Sequence, residues 1–371
     1  MTRYFSEATL LNAPTERAAF SDRQAYVCAE LSKLAYFRFE GGHTIDEILN
    51  VAKEIFGEDE KFSLLEKQVR NMLSGSPEDS LDSRQALEKI LNAAGFSLVE
   101  TFNESGTQAF LCMRGVKREN LPDKAVAYLA FRGTEPKEFQ DIKSDINARL
   151  TSVSIEGEDK PVDFHSGYIK ALGQVDKQIN EALAGIDHEQ LIICGHSLGG
   201  ALAIAFTRLY ASGINGACYT FGAPPVGAVE VQYGLKTPVY EIINELDIVP
   251  NLPNPWIGGL SSLLLKLFRL LAKSVTIVDR LLASGNLDEK LEGYIEMMTR
   301  YRHPGYKSYL VGVESDAHLR YNLGSYDKIK LWFTVRQKGL SRFNKLVSDH
   351  MIDVYVSKLR NHAIKRNVDN E

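Results

Sequence analysis

The sequence has no excess of positive charge and no long apolar run at its beginning. Its 43 Lys and Arg residues are outnumbered by 48 Asp and Glu residues, which gives a formal net charge of −5. This balance, with no basic tail, argues against a nucleic-acid partner. Because residues 1–20 lack the apolar stretch and cleavage site of a secretory signal, we expect a cytoplasmic protein by default. Export by a route that needs no such signal is compatible with the same residues.

Cysteine is scarce, and the four cysteines lie far apart, at Cys28, Cys112, Cys194 and Cys218. Their separations do not match the spacing of metal ligands, and two of them fall in predicted core strands. We therefore expect reduced thiols and predict no metal site. Internal repeats and low-complexity tracts are also missing. With 371 residues, 44% of them hydrophobic, the chain can bury the core of one large domain or of one domain with a helical annex.

Hydrophobic periodicity changes near residue 95. Residues 1–95 are predicted to form a helical region packed on the core, because apolar residues recur there at a spacing of three to four. Residues 96–371 are predicted to form an α/β domain, beginning with three strands between residues 96 and 133. The elements predicted next are a helix over 166–186, a strand over 190–194, a helix over 198–212, and strands over 216–221 and 238–244. This alternation predicts a mostly parallel central sheet with helices on both faces.

The most informative segment reads LIICGHSLGGALA and begins at Leu191. It contains the pattern G-x-S-x-G between a short apolar run, which is typical of a buried strand, and a stretch with helical spacing. A serine at such a sharp strand-to-helix turn exposes its oxygen at a helix N-terminus, which favours developing negative charge. We therefore interpret Ser197 as a nucleophile.

A nucleophilic serine needs a base, and the base needs a carboxylate that orients it. In hydrolases with this turn the acid follows the serine and the histidine comes last. Asp247 follows a predicted strand and precedes a proline-marked loop, which makes it the preferred acid, with Glu245 as the fallback.

Four histidines follow Asp247, and chain order alone does not separate them. His350 lies just before a predicted C-terminal helix, where such a base is usually found, and is preferred. His303 is the alternative base, and it could instead bond loop backbone. His318 and His362 are interpreted as surface residues.

Two backbone donors are expected for a tetrahedral oxyanion. One is the N–H of Leu198, directly after the nucleophile. The other is the N–H of Thr134, in the turn that ends the strand YLAFRG, with its hydroxyl as a further donor. Thr134 could equally cap the helix that follows it, and the two roles are compatible.

The segments FRGT, GHSLGG, TFGAPPVG and LDIVPNLP occur in this order, and together they resemble the class 3 lipase family of the α/β-hydrolase fold. The resemblance covers about 60% of the chain, from about Ala125 to His350. It implies a nucleophile, an acid and two oxyanion donors, namely Ser197, Asp247, Thr134 and Leu198. It also favours His350 over His303 as the base and implies a structural role for His165. Neither a metal nor an organic cofactor is needed for this chemistry.

A hydrophobic helical insert is predicted at residues 254–300, between the acid and the preferred base. Lys266, Arg269 and Lys273 fall on one narrow face, opposite a wide arc of leucines. A helix of this kind suits peripheral contact with an anionic membrane through residues 260–283, or a lid over the site. The alternative is a helix pair packed over the core.

These patterns predict a serine carboxylic-ester hydrolase that acts on lipids, of the triacylglycerol lipase or phospholipase A type. The hydrophobic insert predicted beside the site favours esters of long acyl chains as substrates over small polar esters. Two alternatives stay open. One is a lipase-like scaffold that binds partners without turnover. The other is a leaderless phospholipase toxin that travels with an inhibitor protein; otherwise no protein partner is assigned.

Overall fold

A computed structural model describes the chain in nine stretches: residues 4–14, 19–37, 83–118, 121–133, 150–245, 247, 249–251, 300–321 and 349–368. The strands in these stretches are β1 Ser97–Glu104, β2 Thr107–Arg118, β3 Leu121–Phe131, β4 Leu150–Val153, β5 Val162–His165, β6 Gln190–His196, β7 Gly216–Phe221, β8 Val239–Asn244, β9 Tyr306–Val311 and β10 His318–Arg320. The α-helices are α1 Asp22–Leu34, α2 Ser83–Ala93, α3 Ser166–Leu172, α4 Asp176–Ala184, α5 Leu198–Tyr210 and α6 Ile352–Val368.

Eight strands form one sheet in the order β1-β2-β3-β6-β7-β8-β9-β10, and β4 pairs with β5 separately. The five central strands, β3, β6, β7, β8 and β9, are mutually parallel. The pairs β1/β2, β2/β3 and β9/β10 are antiparallel. Residues of α1, α2 and α6 pack in the core on one face, and residues of α3, α4 and α5 pack on the other. This arrangement confirms the predicted α/β-hydrolase fold, with its mostly parallel centre.

The predicted helix over 166–186 is wrong as a single element. It divides into α3, which is capped at Gly173, and α4, which begins at Asp176. Strands β4, β5, β9 and β10 were not predicted from the sequence. They have three to six residues, too few for a clear alternation, and pairing with neighbouring strands supports them.

Helix α1 shows how the N-terminal residues join the main core. Ser21 caps it, because the serine hydroxyl accepts a hydrogen bond from the backbone N–H of Gln24 at 3.3 Å. The apolar side chains of α1 are buried in the same cluster as those of β6 and α6. The division of the chain at residue 95 stays a prediction, since residues 38–82 lie outside the described stretches.

None of the helices in the described stretches is long and apolar enough to cross a membrane. The predicted insert at residues 254–300 lies almost entirely outside those stretches, as do its three basic residues, Lys266, Arg269 and Lys273. Membrane contact through this segment therefore stays a prediction.

Candidate active site

Ser197 lies at the turn between β6 and α5 and has the backbone angles φ 57° and ψ −128°. A positive φ is uncommon for a residue with a side chain, and it is the strained geometry expected at a nucleophile turn. The turn is tight, because a Cβ added at Gly195 would lie 2.2 Å from the carbonyl oxygen of Gly199. A side chain at position 195 would therefore collide with backbone that cannot easily move.

His350 and Asp247 lie beside Ser197, although they are far away along the chain. The distance from His350 Nε2 to Ser197 Oγ is 2.9 Å, and that from His350 Nδ1 to Asp247 Oδ2 is 2.7 Å. Both distances are those of hydrogen bonds. With a proton on Nδ1, the imidazole donates to the carboxylate, and its Nε2 is free to accept the serine proton. All three residues are buried.

The carboxylate of Asp247 has two further donors. The backbone N–H of Val249 donates to Oδ1 at 2.9 Å, and the hydroxyl of Tyr355 donates to Oδ2 at 2.6 Å. Burial, together with the charge of Asp247, raises the pKa of Tyr355 well above its ordinary value, so the phenol keeps its proton. These bonds compensate the burial of the Asp247 carboxyl group and fix its orientation. Sequence reasoning missed Tyr355, because an aromatic residue on a predicted helix is usually part of the core.

A second network holds the residue before His350. The side-chain amide of Asn244, at the end of β8, donates to the carbonyl of Asp349 at 2.8 Å. Lys358 on α6 donates to the amide oxygen of Asn244 at 2.7 Å. Strand β8 ends three residues before Asp247. These bonds therefore fix the backbone just before His350 relative to the strand that precedes the acid.

His303, the alternative base, has both ring nitrogens bonded elsewhere. Its Nδ1 contacts Oε2 of Glu241, and its Nε2 lies 2.6 Å from the carbonyl oxygen of Pro250. Burial alone would raise the pKa of Glu241, but His303, Lys307 and the Gly305 N–H together lower it. Both ring nitrogens of His303 are therefore occupied by groups other than the serine, which fits a structural role better than that of the base.

The N–H of Leu198 is at the first position of α5, where no intrahelical acceptor exists. It is therefore available to a negatively charged oxygen near Ser197. Thr134 lies outside the described residues, since the stretch over 121–133 ends at Gly133 and the next begins at residue 150. A Cβ added at Gly133 would lie 3.2 Å from the Cβ of Ser197, so the turn that leads to Thr134 passes beside the serine.

The other singled-out residues lie apart from these bonds. Glu245, the fallback acid, uses its backbone N–H to bond Leu310. His165 accepts from the N–H of Gly167 at 3.1 Å and caps α3, which is a structural role. His318 is exposed, but the interpretation of His362 as a surface residue is wrong. It is buried and lies 3.2 Å from Asp22, because α6 packs against α1.

All four cysteines are buried and free. Within the described stretches, no group of three or more His, Cys, Asp or Glu side chains is arranged to hold a metal ion.

Part of this chain is similar to known lipases. Residues 128–256 match the sequence profile of the lipases of class 3. The lipases of Rhizopus niveus and Rhizopus oryzae are each 30% identical to this chain over 143 residues, which is 36% of the chain and 36% of each relative. The chain thus matches about a third of the length of these curated relatives.

Two solved lipase structures are similar in backbone. That of Rhizopus microsporus var. chinensis has a TM-score of 0.42 and 22% identity, over 73% of this chain and 76% of that chain. A triacylglycerol lipase of Penicillium expansum has a TM-score of 0.40 and 20% identity, over 63% of this chain and 77% of that chain. The fold assignment rests on the strand order rather than on these values. Residues 128–256, which include the serine turn and Asp247, are thus similar to the class 3 lipase family.

Proposed function

We propose that this protein is a serine carboxylic-ester hydrolase that acts on lipids. The observation that carries the proposal is the pair of hydrogen bonds that joins Asp247 to His350 and His350 to Ser197. Side chains in this order provide an activated nucleophile, a base and a group that orients the base. The relatives described as lipases support a lipid ester as the substrate class.

The reaction would proceed in two halves. In the first, the oxygen of Ser197 bonds to the ester carbonyl carbon while its proton passes to Nε2 of His350. The tetrahedral oxyanion accepts hydrogen bonds from the N–H of Leu198 and, as the sequence predicts, from Thr134. His350 then protonates the departing alcohol, which leaves an acyl-serine. In the second half, water gives a proton to His350 and attacks the acyl group, and the fatty acid leaves as Ser197 regains its proton.

The hydrogen bonds favour catalysis over a non-catalytic scaffold, because a scaffold would need neither an imidazole bonded to the serine nor a buried carboxylate bonded to that imidazole. No contact within the described stretches bears on a toxin role or on an inhibitor protein. The choice between a triacylglycerol lipase and a phospholipase A also stays a prediction.

Hydrolysis of p-nitrophenyl esters with acyl chains from acetyl to palmitoyl tests the proposal. We expect turnover to rise with chain length, because longer chains bury more apolar surface when they bind. The full-length Ser197→Ala variant provides the blank at each length. Turnover confined to the shortest esters would contradict the lipid assignment. The absence of turnover above the blank at every length, with detergent or vesicles present, would contradict the hydrolase itself.

A side chain at position 222 should displace the carboxyl group of Asp247. Gly222 has φ +60°, and an added Cβ would lie 2.6 Å from Oδ2 of Asp247 and 2.9 Å from the hydroxyl of Tyr355. We expect Gly222→Ala to lower kcat about a hundredfold, because a displaced Asp247 no longer orients the base. Ester turnover and thermal melting would measure the effect.

Gly157→Ala is the matched control for Gly222→Ala. Gly157 also has a positive φ, of +80°, but its added Cβ would meet no atom within 4 Å. Backbone strain should lower the free energy of unfolding of this variant by about 1 kcal/mol, and its turnover should be unchanged. Equal turnover in the two variants would mean that the contact with Asp247 is unimportant.

A further inference from the structure

His196, the residue before the proposed nucleophile, is buried and bonded at both ring nitrogens. Its Nε2 lies 2.7 Å from the carbonyl oxygen of His350, and its Nδ1 lies 2.7 Å from the hydroxyl of Tyr36. A carbonyl oxygen only accepts, so Nε2 carries the proton. Burial and the nearby ring of His350 hold the pKa of His196 well below its ordinary value. The ring is therefore neutral, and Nδ1 accepts the hydroxyl proton of Tyr36.

The direction of the two bonds is thus defined: Tyr36 donates to His196, and His196 donates to the backbone of His350. Tyr36 lies two residues after the end of α1 and outside the segment that matches the family profile. A Cβ added at Gly133 would lie 2.4 Å from the hydroxyl of Tyr36 and 2.5 Å from the carbonyl oxygen of His196. The phenol therefore lies where the serine turn and the turn before Thr134 meet.

We propose that His196 and Tyr36 are positioning residues that hold His350 in line between Ser197 and Asp247. The inference rests on the proposed function, in which His350 is the base. The carbonyl of His350 is bonded directly to the neighbour of the nucleophile, so the separation of base and serine does not depend on α6 alone. A displacement of about 1 Å in a reacting group can lower a rate a hundredfold, so a bond that prevents such a displacement affects kcat.

The neutral state of His196 has a second consequence. Its ring centroid is 4.6 Å from that of His350, where a positive charge develops when the base takes the serine proton. A second positive charge at this distance would oppose that step. The hydroxyl of Tyr36 donates a hydrogen bond to Nδ1 of His196. This bond requires Nδ1 to be unprotonated, and it therefore stabilises the neutral ring.

Labelling of Ser197 by a fluorophosphonate measures the reactivity of the serine without a known substrate. The serine oxygen bonds to phosphorus, fluoride leaves, and the serine proton passes to His350. In the full-length chain we expect His196→Leu to label about a hundredfold more slowly and Tyr36→Phe about tenfold more slowly. His196→Gln places an amide donor near the position of Nε2 and should restore the rate to within a few fold of the unsubstituted chain. With p-nitrophenyl esters, kcat should fall and KM should stay unchanged.

Tyr26→Phe is the matched control, because Tyr26 lies on α1 and its buried hydroxyl donates to Glu30 at 2.9 Å, away from these bonds. It should lower the melting temperature as Tyr36→Phe does, without slowing the labelling. Equal labelling rates in Tyr36→Phe and Tyr26→Phe would overturn the proposal, and this comparison holds even if His196→Leu does not fold. A His196→Gln rate no higher than that of a folded His196→Leu would also overturn it. If the unsubstituted chain is not labelled at Ser197, the proposed function itself fails.

Discussion

Replacement of Ser197 by alanine is expected to lower the rate of ester hydrolysis by at least about a thousandfold while the protein stays folded. The serine oxygen is the atom that would bond to the acyl carbon, and it is the atom that contacts Nε2 of His350. Alanine keeps the Cβ of serine and loses only the hydroxyl, so the backbone strain at positive φ is the same in both. Turnover of a long-chain p-nitrophenyl ester and thermal melting would be measured together.

Ser32→Ala provides the control for this change. Ser32 is a buried serine on α1, and its hydroxyl has no hydrogen-bond partner among the described residues. The same chemical change there should leave turnover unaltered. If Ser197→Ala kept more than about a tenth of the rate, the assignment of the nucleophile would be wrong.

The two histidines that sequence order leaves open should respond in opposite ways. His350→Ala should lower kcat about a thousandfold or more, since the serine loses its proton acceptor. His303→Ala should keep most of the turnover, because both nitrogens of His303 are bonded to groups other than the serine. Parallel kinetics of the two variants with one ester would measure the contrast.

The stabilities of the two variants should differ in the opposite sense: His303→Ala keeps more activity than His350→Ala but should be the less stable of the two. His303→Ala removes the partner of the buried carboxylate of Glu241 and leaves the Gly305 N–H as its donor. Removing the partner of a buried carboxylate lowers the free energy of unfolding by about 3 kcal/mol, so His303→Ala should melt well below His350→Ala. A His303→Ala variant as inactive as His350→Ala, yet equally stable, would contradict both the role of His350 and the structural role of His303.

The local sequence was sufficient to predict an element whose own residues show a clear apolar pattern. The strand–turn–helix around Ser197 was predicted within two residues at each end, because a fully apolar strand, two close glycines and an alanine-rich helix define it without distant contacts. The short strands β9 and β10 were missed for the opposite reason. They depend on pairing with β8 and with each other, and pairing across the chain leaves little periodicity in three to six residues.

The surroundings of the site could not be predicted in the same way. Tyr36, Tyr355 and His196 lie on predicted helices or in the serine turn, where an aromatic ring is most often a core residue. The bonds from Tyr36 to His196, from His196 to the backbone of His350 and from Tyr355 to Asp247 each join positions more than a hundred residues apart. Spacing along the chain carries no information about such contacts.

By itself, the sequence determined the α/β class, the resemblance to class 3 lipases and the turn that presents Ser197, because periodicity and short motifs are local properties of the chain. Only the tertiary structure decided which histidine lies beside that serine and which side chains hold it there. Burial, the hydrogen-bond partners of His303 and the protonation of His196 depend on what surrounds each group in space. Those surroundings exist only after α1, β6, β8 and α6 have packed together.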